Sequence, residues 1–297
     1  MGLFNKFPNI TVIISCFFWG TYWIPLRLIN SNGDNSVWPI LLSFLIISIL
    51  LIKIVLSSFV KAIIQKNYFF LIASFFSASG ITLYSESLIR GEIAKVVIFF
   101  YLCPIWAIIF SNFILNIKID TKRLISISIA FIGIGIIIEI DKNLMFSISI
   151  NDSIAILAGI LWALGTTLFH KAKSTKGIEK TTITIFFIPF LFLLLYFIPN
   201  GRNILITDSI INFNDMHIWI LLFAIIWILP SILLTYLSVE ILDSGRLNLL
   251  LGFEVAVGFF SVGLLTDEII GIREFLGALF VLSACFLDTL KMRASQN

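Results

Sequence analysis

The sequence predicts an all-α integral membrane protein, with ten transmembrane helices forming two inverted five-helix repeats. Three observations carry this. First, the 297-residue chain is 59% hydrophobic and 12% charged, where a soluble domain has about 25% charged residues. Its apolar residues fall in about ten runs of roughly 20, the length that spans a bilayer as a helix. Backbone groups in hydrocarbon must be satisfied within their own segment, so the runs are helices. Second, the basic residues are divided unevenly between the two sides. Third, the two halves align with each other.

In order, the expected spans are 9–29, 37–57, 68–89, 93–115, 123–140, 152–172, 181–199, 216–240, 245–265 and 270–290. The first is too long for a signal-peptide core and lacks a small-residue cleavage site, so it reads as a retained span. The joining segments are short. The longest, about 199–215, is rich in Asn, Asp and Ile and reads as an external loop. Placing the N-terminus in the cytoplasm puts 14 of the 20 basic residues there: Lys6, Lys53, Lys61, Lys66, Lys118, Lys122, Arg123, Lys171, Lys173, Lys176, Lys180, Arg246, Lys291 and Arg293. Arg27, Arg90, Lys95, Lys142, Arg202 and Arg273 fall on the other side. Positive residues collect inside, so both termini are expected in the cytoplasm. Cys16, Cys103 and Cys285 all lie in apolar runs and read as packing, not as a disulfide framework or metal site. The net charge of +3 comes without a basic cluster interleaved with aromatics, so no nucleic-acid partner is expected.

A shift of about 151 positions lays spans four and five on spans nine and ten. Glu92 then meets Asp243, Ala94 meets Gly245, Lys122 meets Arg273, Ser126 meets Gly277 and Gly133 meets Ala284. Spans one and six align through Trp19-Gly20-Thr21 and Trp162-Ala163-Leu164. The repeats are therefore 9–140 and 152–290. An odd number of helices per repeat inverts the second relative to the first. That is a recurring transporter architecture, with the substrate site near the midplane where the repeats meet.

These segments resemble the EamA-type members of the drug/metabolite transporter superfamily. Phe18-Trp19-Gly20-Thr21 in span one and Ala158-Gly159-Ile160-Leu161-Trp162-Ala163 in span six match its repeat openings. Pro104 matches a mid-helix proline of span four. Leu264-Leu265-Thr266-Asp267-Glu268 followed by Gly277 matches a helix-end glutamate and glycine, and Glu254 a glutamate of span nine. The chain departs from the pattern at Ile117-Lys118, where a first-half glutamate would stand, and at Val255, where a proline would. The resemblance implies export or exchange of a small metabolite, with an amino acid or a drug-like amphiphile the classes it suggests.

The site is sought among polar groups inside spans, because a charge at the bilayer centre costs about 2.5–3.5 kcal/mol. Glu254, about nine residues into span nine, is the clearest candidate for substrate binding or coupling. The alternative is packing by a hydrogen-bonded carboxyl. Arg27, late in span one, can bind an anionic group or snorkel to the interface. Glu86, Arg90, Glu92 and Lys95 form one charged turn, and Glu240, Asp243 and Arg246 its counterpart. Glu86, Lys95, Glu240 and Arg246 are gate candidates, the alternative being solvated turns. Trp19, Tyr22, Trp23, Tyr101, Trp106, Trp162 and Trp227 are in-span aromatics, of which the repeat favours Trp19, Tyr22 and Trp162 for a cavity wall. Pro25, Pro104, Pro189 and Pro230 can mark broken helices. Gly252-x-x-x-Ala256, Gly133-x-Gly135 and Gly159-x-x-x-Ala163 supply faces for close helix contact.

No Walker loop, metal spacing or nucleophile elbow is present. His170 and His217 stand at span ends. The expectation is an inner-membrane secondary transporter, not an enzyme, with no cofactor or metal, coupled to protons through Glu254. Its partners would be the bilayer and a small-molecule substrate, and a homodimer is left open. The rival readings are a membrane enzyme acting on lipid head groups and a non-transporting scaffold or sensor.

Overall fold

The computed structural model describes residues 7–29, 38–91, 93–118, 121–137, 149–172, 175–196 and 213–265, with further helical positions between 272 and 287. Every regular element among the described residues is a helix. They are α1 (Pro8–Gly20), α2 (Trp23–Leu28), α3 (Trp38–Leu50), α4 (Ile52–Ile64), α5 (Tyr68–Arg90), α6 (Ile93–Phe100), α7 (Cys103–Leu115), α8 (Thr121–Ile137), α9 (Ile150–Lys171), α10 (Gly177–Tyr196), α11 (Phe213–Leu222), a π-helical segment Phe223–Ile228, α12 (Leu229–Val239), α13 (Ser244–Leu251) and α14 (Phe253–Leu265).

Among the described residues, six stretches are long and apolar enough to cross a membrane: Pro8–Leu28, Tyr68–Arg90, Ile150–Lys171, Gly177–Leu195, His217–Val239 and Ser244–Leu265. The α3–α4 pair would be a seventh if taken as one span. The expected tenth span falls largely outside the described residues, as do the 199–212 loop and the Thr266-Asp267-Glu268 motif.

The run expected over 37–57 as one span is not one continuous helix. It forms α3 and α4, bent by 75°. At Leu51 the backbone leaves helical geometry (φ −101°, ψ 15°). The bend wastes few hydrogen bonds. The Leu51 N–H still donates to the Ile47 carbonyl at 2.9 Å, and its own carbonyl accepts from Ile54 and Val55 at 2.9 and 3.0 Å. No proline or glycine marks it, so the sequence gives no local warning. α4 then ends in a Schellman closure, with Asn67 donating to Ala62 and Lys66 to Ile63. Lys66 takes the left-handed conformation (φ 52°) that glycine usually supplies.

Other ends are written in the sequence. Ser149 and Asp152 form a reciprocal capping box at the start of α9. The Asp243 side chain accepts from the Arg246 N–H at 3.1 Å and starts α13. Asn116, left-handed at φ 55°, ends α7.

α5 and α9 lie antiparallel at the centre. A methyl group added at Gly80 would stand 2.8 Å from the Trp162 nitrogen, and one at Gly165 would stand 2.6 Å from the Ser77 nitrogen. Small residues allow this approach, as in membrane helix pairs generally. Gly159 packs closely on the Phe100 carbonyl, whereas in the expected small face of span five Gly133 is buried and Gly135 faces open space.

Hydroxyls share the interior with the apolar core, and large apolar side chains cover the outside. Ser15, Ser74, Ser77, Thr167, Thr184 and Thr235 are buried, while Phe17, Ile49, Phe113 and Leu264 are exposed. Many of the inward hydroxyls bond to the carbonyl four residues earlier, as Ser74 does to Phe70 and Thr82 to Ala78. An apolar outer surface around an interior where many hydroxyls are satisfied within their own helices is what lipid as solvent allows.

Candidate functional site

Three helical stretches are interrupted around one point. Between α1 and α2, Pro25 has no N–H to give the Thr21 carbonyl, which accepts instead from Ile24 at 3.1 Å. Between α6 and α7 the chain breaks at Tyr101–Leu102, and Pro104 leaves the Phe100 carbonyl without its helical donor. Between α13 and α14 the turns tighten about Gly252, whose N–H reaches Leu249 at 3.0 Å while Val255 reaches Gly252 at 3.1 Å. The neighbouring Leu250 and Leu251 carbonyls face another span. The Cys16 thiol lies 3.6 and 3.8 Å from them, and the Tyr101 hydroxyl donates to Leu251. A fourth irregularity, the π-helical Phe223–Ile228, directly precedes α12 and its Pro230. Trp227 in that segment donates to Thr21 at 3.0 Å, joining it to the first break.

Glu254, in the first turn of α14, is 4% exposed. Its Oε1 accepts from the Tyr84 hydroxyl at 3.0 Å, and its Oε2 lies 3.0 Å from the Tyr101 hydroxyl. No basic residue pairs with it among the described ion pairs. Gly20 makes room beside it, since a methyl group there would stand 2.8 Å from the Glu254 carbonyl and 2.6 Å from Val257. A small cavity of about 30 Å³ borders Glu254, Trp19, Trp23 and Tyr84 and continues past Leu88, Ile93 and Val262. A second of about 10 Å³ adds Ile81, Phe100, Trp162 and Leu251. Such volumes admit about one water each. A metabolite needs several hundred Å³, so the site is closed around its polar group.

The favoured aromatics gather here. Trp19 and Trp162 meet edge to face with ring centroids 6.0 Å apart, and Tyr22 packs on Trp19 at 5.4 Å. Each polar tip has a partner. Trp19 donates to Thr235 at 3.2 Å, Trp162 to Asn248 at 2.8 Å, and the Tyr22 and Ser85 hydroxyls are 3.0 Å apart.

The other candidates stand elsewhere. Arg27 is exposed at the end of α2 and donates to the Gly91 carbonyl at 3.2 Å, outside the cavity. Glu86 is buried and pairs with Arg90 at 2.5 Å, one turn along α5. Glu240 ends α12 and accepts from the Gly177 N–H. Arg246 is buried in α13, about 12 Å along the helix from Glu254. The side chain of Lys95 and all of Glu92 lie outside the described residues.

Some residues of this site carry little local signal in the sequence. Tyr84 looks like any other mid-span tyrosine, and nothing local says that it faces a carboxyl. Tyr101 is one of the in-span aromatics, and its position three residues before Pro104 is its one distinguishing signal. Asn248 is the centre of a chain of hydrogen bonds at the end of the bundle that holds Lys171 and Glu240. It accepts from Trp162, donates to Thr166 at 3.2 Å and to the Ser244 carbonyl at 2.8 Å, while Ser244 contacts Thr166 and Thr167 at 2.9 and 3.0 Å. An uncharged amide at the fourth position of the expected span 245–265 is also a polar signal, weaker than a carboxyl nearer mid-depth. Among the described residues no group of His, Cys, Asp and Glu has metal-binding geometry.

Residues 6–139 match the model of the EamA-like transporter family. No curated protein matches the chain. Among 28 chains of solved structures that do, one, described only as the crystal structure of a protein, superposes with a TM-score of 0.64 at 12% identity. That alignment covers 95% of this chain and 98% of the other. The fold is therefore one already seen in a solved structure.

Proposed function

With residues 6–139 carrying the EamA-like transporter module, consistent with the drug/metabolite transporter superfamily, we propose that this membrane protein is a proton-coupled secondary transporter of a small metabolite, acting by export or exchange. In this reading residues 9–140 and 152–290 are inverted five-helix repeats, the protein sits in the inner membrane, and both termini are cytoplasmic. The end of the bundle holding Arg90 then faces outward and the end holding Lys171 faces inward.

The observation that carries this reading is Glu254, buried where three interrupted helices converge. Discontinuous helices near the midplane are how many secondary transporters bind substrate and coupling ion. Hydrogen-bond accounting supports a proton at this point. A phenol has one proton, yet Tyr101 stands between two acceptors, the Leu251 carbonyl and Glu254. If Tyr101 donates to Leu251, its contact with Glu254 is a hydrogen bond only when Glu254 is protonated and donates to Tyr101. Tyr84 donates to the other oxygen in either state. Opening the site admits water and substrate, releases the proton, and leaves a carboxylate between Trp19, Trp162 and Tyr84. An amino group or other cation can then replace the proton, which makes exchange direct.

The test is Glu254→Gln in proteoliposomes carrying an imposed pH gradient, with amino acids and amphiphilic metabolites screened as substrates. Glutamine keeps the size and much of the hydrogen bonding but cannot titrate. The variant should insert and fold normally and lose pH-driven flux by tenfold or more, a loss corresponding to about 1.4 kcal/mol. Flux with an unaltered pH dependence would reduce Glu254 to a packing residue. Reporter fusions at Asn297 and Asn203 should read opposite sides of the membrane. Finding both on one side would overturn the inverted repeat.

A further inference from the structure

α4 has three distinct faces. Val55, Ser58 and Ala62 are buried against the bundle. Ile52, Leu56, Val60 and Ile63 form an exposed apolar stripe, with Leu56 59% and Ile63 58% exposed. Lys53, Ser57, Lys61 and Gln65 follow each other at four-residue intervals along a third, polar face. The stretch 51–67 holds three lysines and no acidic residue. Where the second and third faces meet, the surface is open, with Leu56, Val60 and Ile64 on one side and Ser57, Lys61 and Gln65 on the other.

A helix crossing the hydrocarbon would have to bring that polar face with it, at a cost that membrane helices avoid. The 75° bend removes the conflict. At that angle the 13 residues of α4 advance only roughly 5 Å along the axis of α3. An apolar stripe beside a lysine-bearing face is the pattern of a helix lying at the headgroup boundary. We propose that α4 lies in the membrane plane and seats anionic phospholipids, with acyl chains against Leu56, Val60 and Ile64 and headgroup phosphates met by Lys53 and Lys66. Charge complementarity selects an anionic lipid, because cationic juxtamembrane segments attract such leaflets.

The seat is joined to the rest of the protein at the Lys171 end. Lys61 pairs with Glu179 at 2.8 Å. Glu179 also accepts from the Lys176 N–H at 2.8 Å, and the next residue, Gly177, donates to Glu240 at the end of α12. Lipid bound on α4 therefore bears on the helix ends that must part if this side opens.

The proposal rests on the membrane reading alone and is tested without transport. Nitroxide labels go singly on Ile52→Cys, Leu56→Cys, Val60→Cys and Ile63→Cys, in full-length protein carrying Cys285→Ala, reconstituted in phosphatidylcholine and phosphatidylglycerol. Their accessibilities to oxygen and to a water-soluble nickel chelate give depth. All four should lie at one depth within a few ångströms. A steady change amounting to about 16 Å from position 52 to 63, the rise of a spanning helix, would overturn the in-plane placement. Native mass spectrometry of the intact protein then compares retained lipid. Wild type should hold phosphatidylglycerol over phosphatidylcholine, and the K53Q/K66Q variant should lose that preference several-fold. Equal retention of both lipids by wild type, or an unchanged preference in the variant, would overturn the headgroup assignment.

Discussion

The two ends of the bundle on either side of Glu254 are closed by different chemistry. Toward Lys171 the closure is a hydrogen-bonded chain, Trp162 to Asn248 to Thr166 and Ser244, buried among helices. Toward Arg90 it is mainly apolar, with the cavity running past Leu88, Ile93 and Val262. Among the described residues, charged groups at this end include buried Glu86, which pairs with Arg90, and exposed Arg27. A hydrogen-bonded closure must exchange every partner for water when it opens, and a group left unpaired costs about 1–3 kcal/mol. An apolar closure carries no such penalty and relies on packing alone. The cavity extends from Glu254 toward the apolar end, as this difference would lead one to expect.

Asn248→Leu should break the contrast most strongly. It strands the Trp162 N–H and removes both donors of the amide, costing about 1–3 kcal/mol. The labelling rate of Leu247→Cys by a water-soluble maleimide should rise by about tenfold, corresponding to roughly 1.4 kcal/mol. An unchanged rate would mean that packing, not hydrogen bonding, holds this end. Next come the tyrosines at Glu254. Tyr101→Phe removes the group standing between two acceptors and should reduce pH-driven flux about fivefold, for about 1 kcal/mol. Tyr84→Phe removes a single donor and should do less. Equal effects would dissolve the proton accounting given for Tyr101.

Leu88→Ala tests the apolar end. In a membrane the loss is packing without a hydrophobic penalty, so stability should fall by no more than about 1 kcal/mol in a thermal-melt assay. The pH dependence of flux should be unaltered. Arg27→Gln should do least. The residue is exposed and, among the described residues, donates to a backbone carbonyl, so flux should change less than twofold, within about 0.5 kcal/mol. A larger loss would return Arg27 to the binding site.

The membrane class and most helices were legible because lipid imposes one rule on every segment, to be apolar outside and satisfied within. Glu254, Trp19, Tyr22 and Trp162 stood out because polar and amphipathic groups at mid-span conflict with that rule unless they serve something. Helix starts at Ser149 and Asp243 were equally local, since the cap and its targets lie within one turn.

Tertiary structure decided what depends on partners distant in sequence. That Tyr84 and Tyr101 converge on one carboxyl follows from bringing together residues 170 and 153 positions apart. Arg27 reads the same in sequence whether it lines a cavity or reaches the Gly91 carbonyl. The turn at Leu51 brings α4 against α10 and α5 and Lys61 to Glu179, a partner far away in sequence. Sequence by itself determined which surfaces can face lipid, because that depends on each residue's own polarity. Only packing determined which buried groups meet, because hydrogen bonds need distances and angles that hydropathy does not contain.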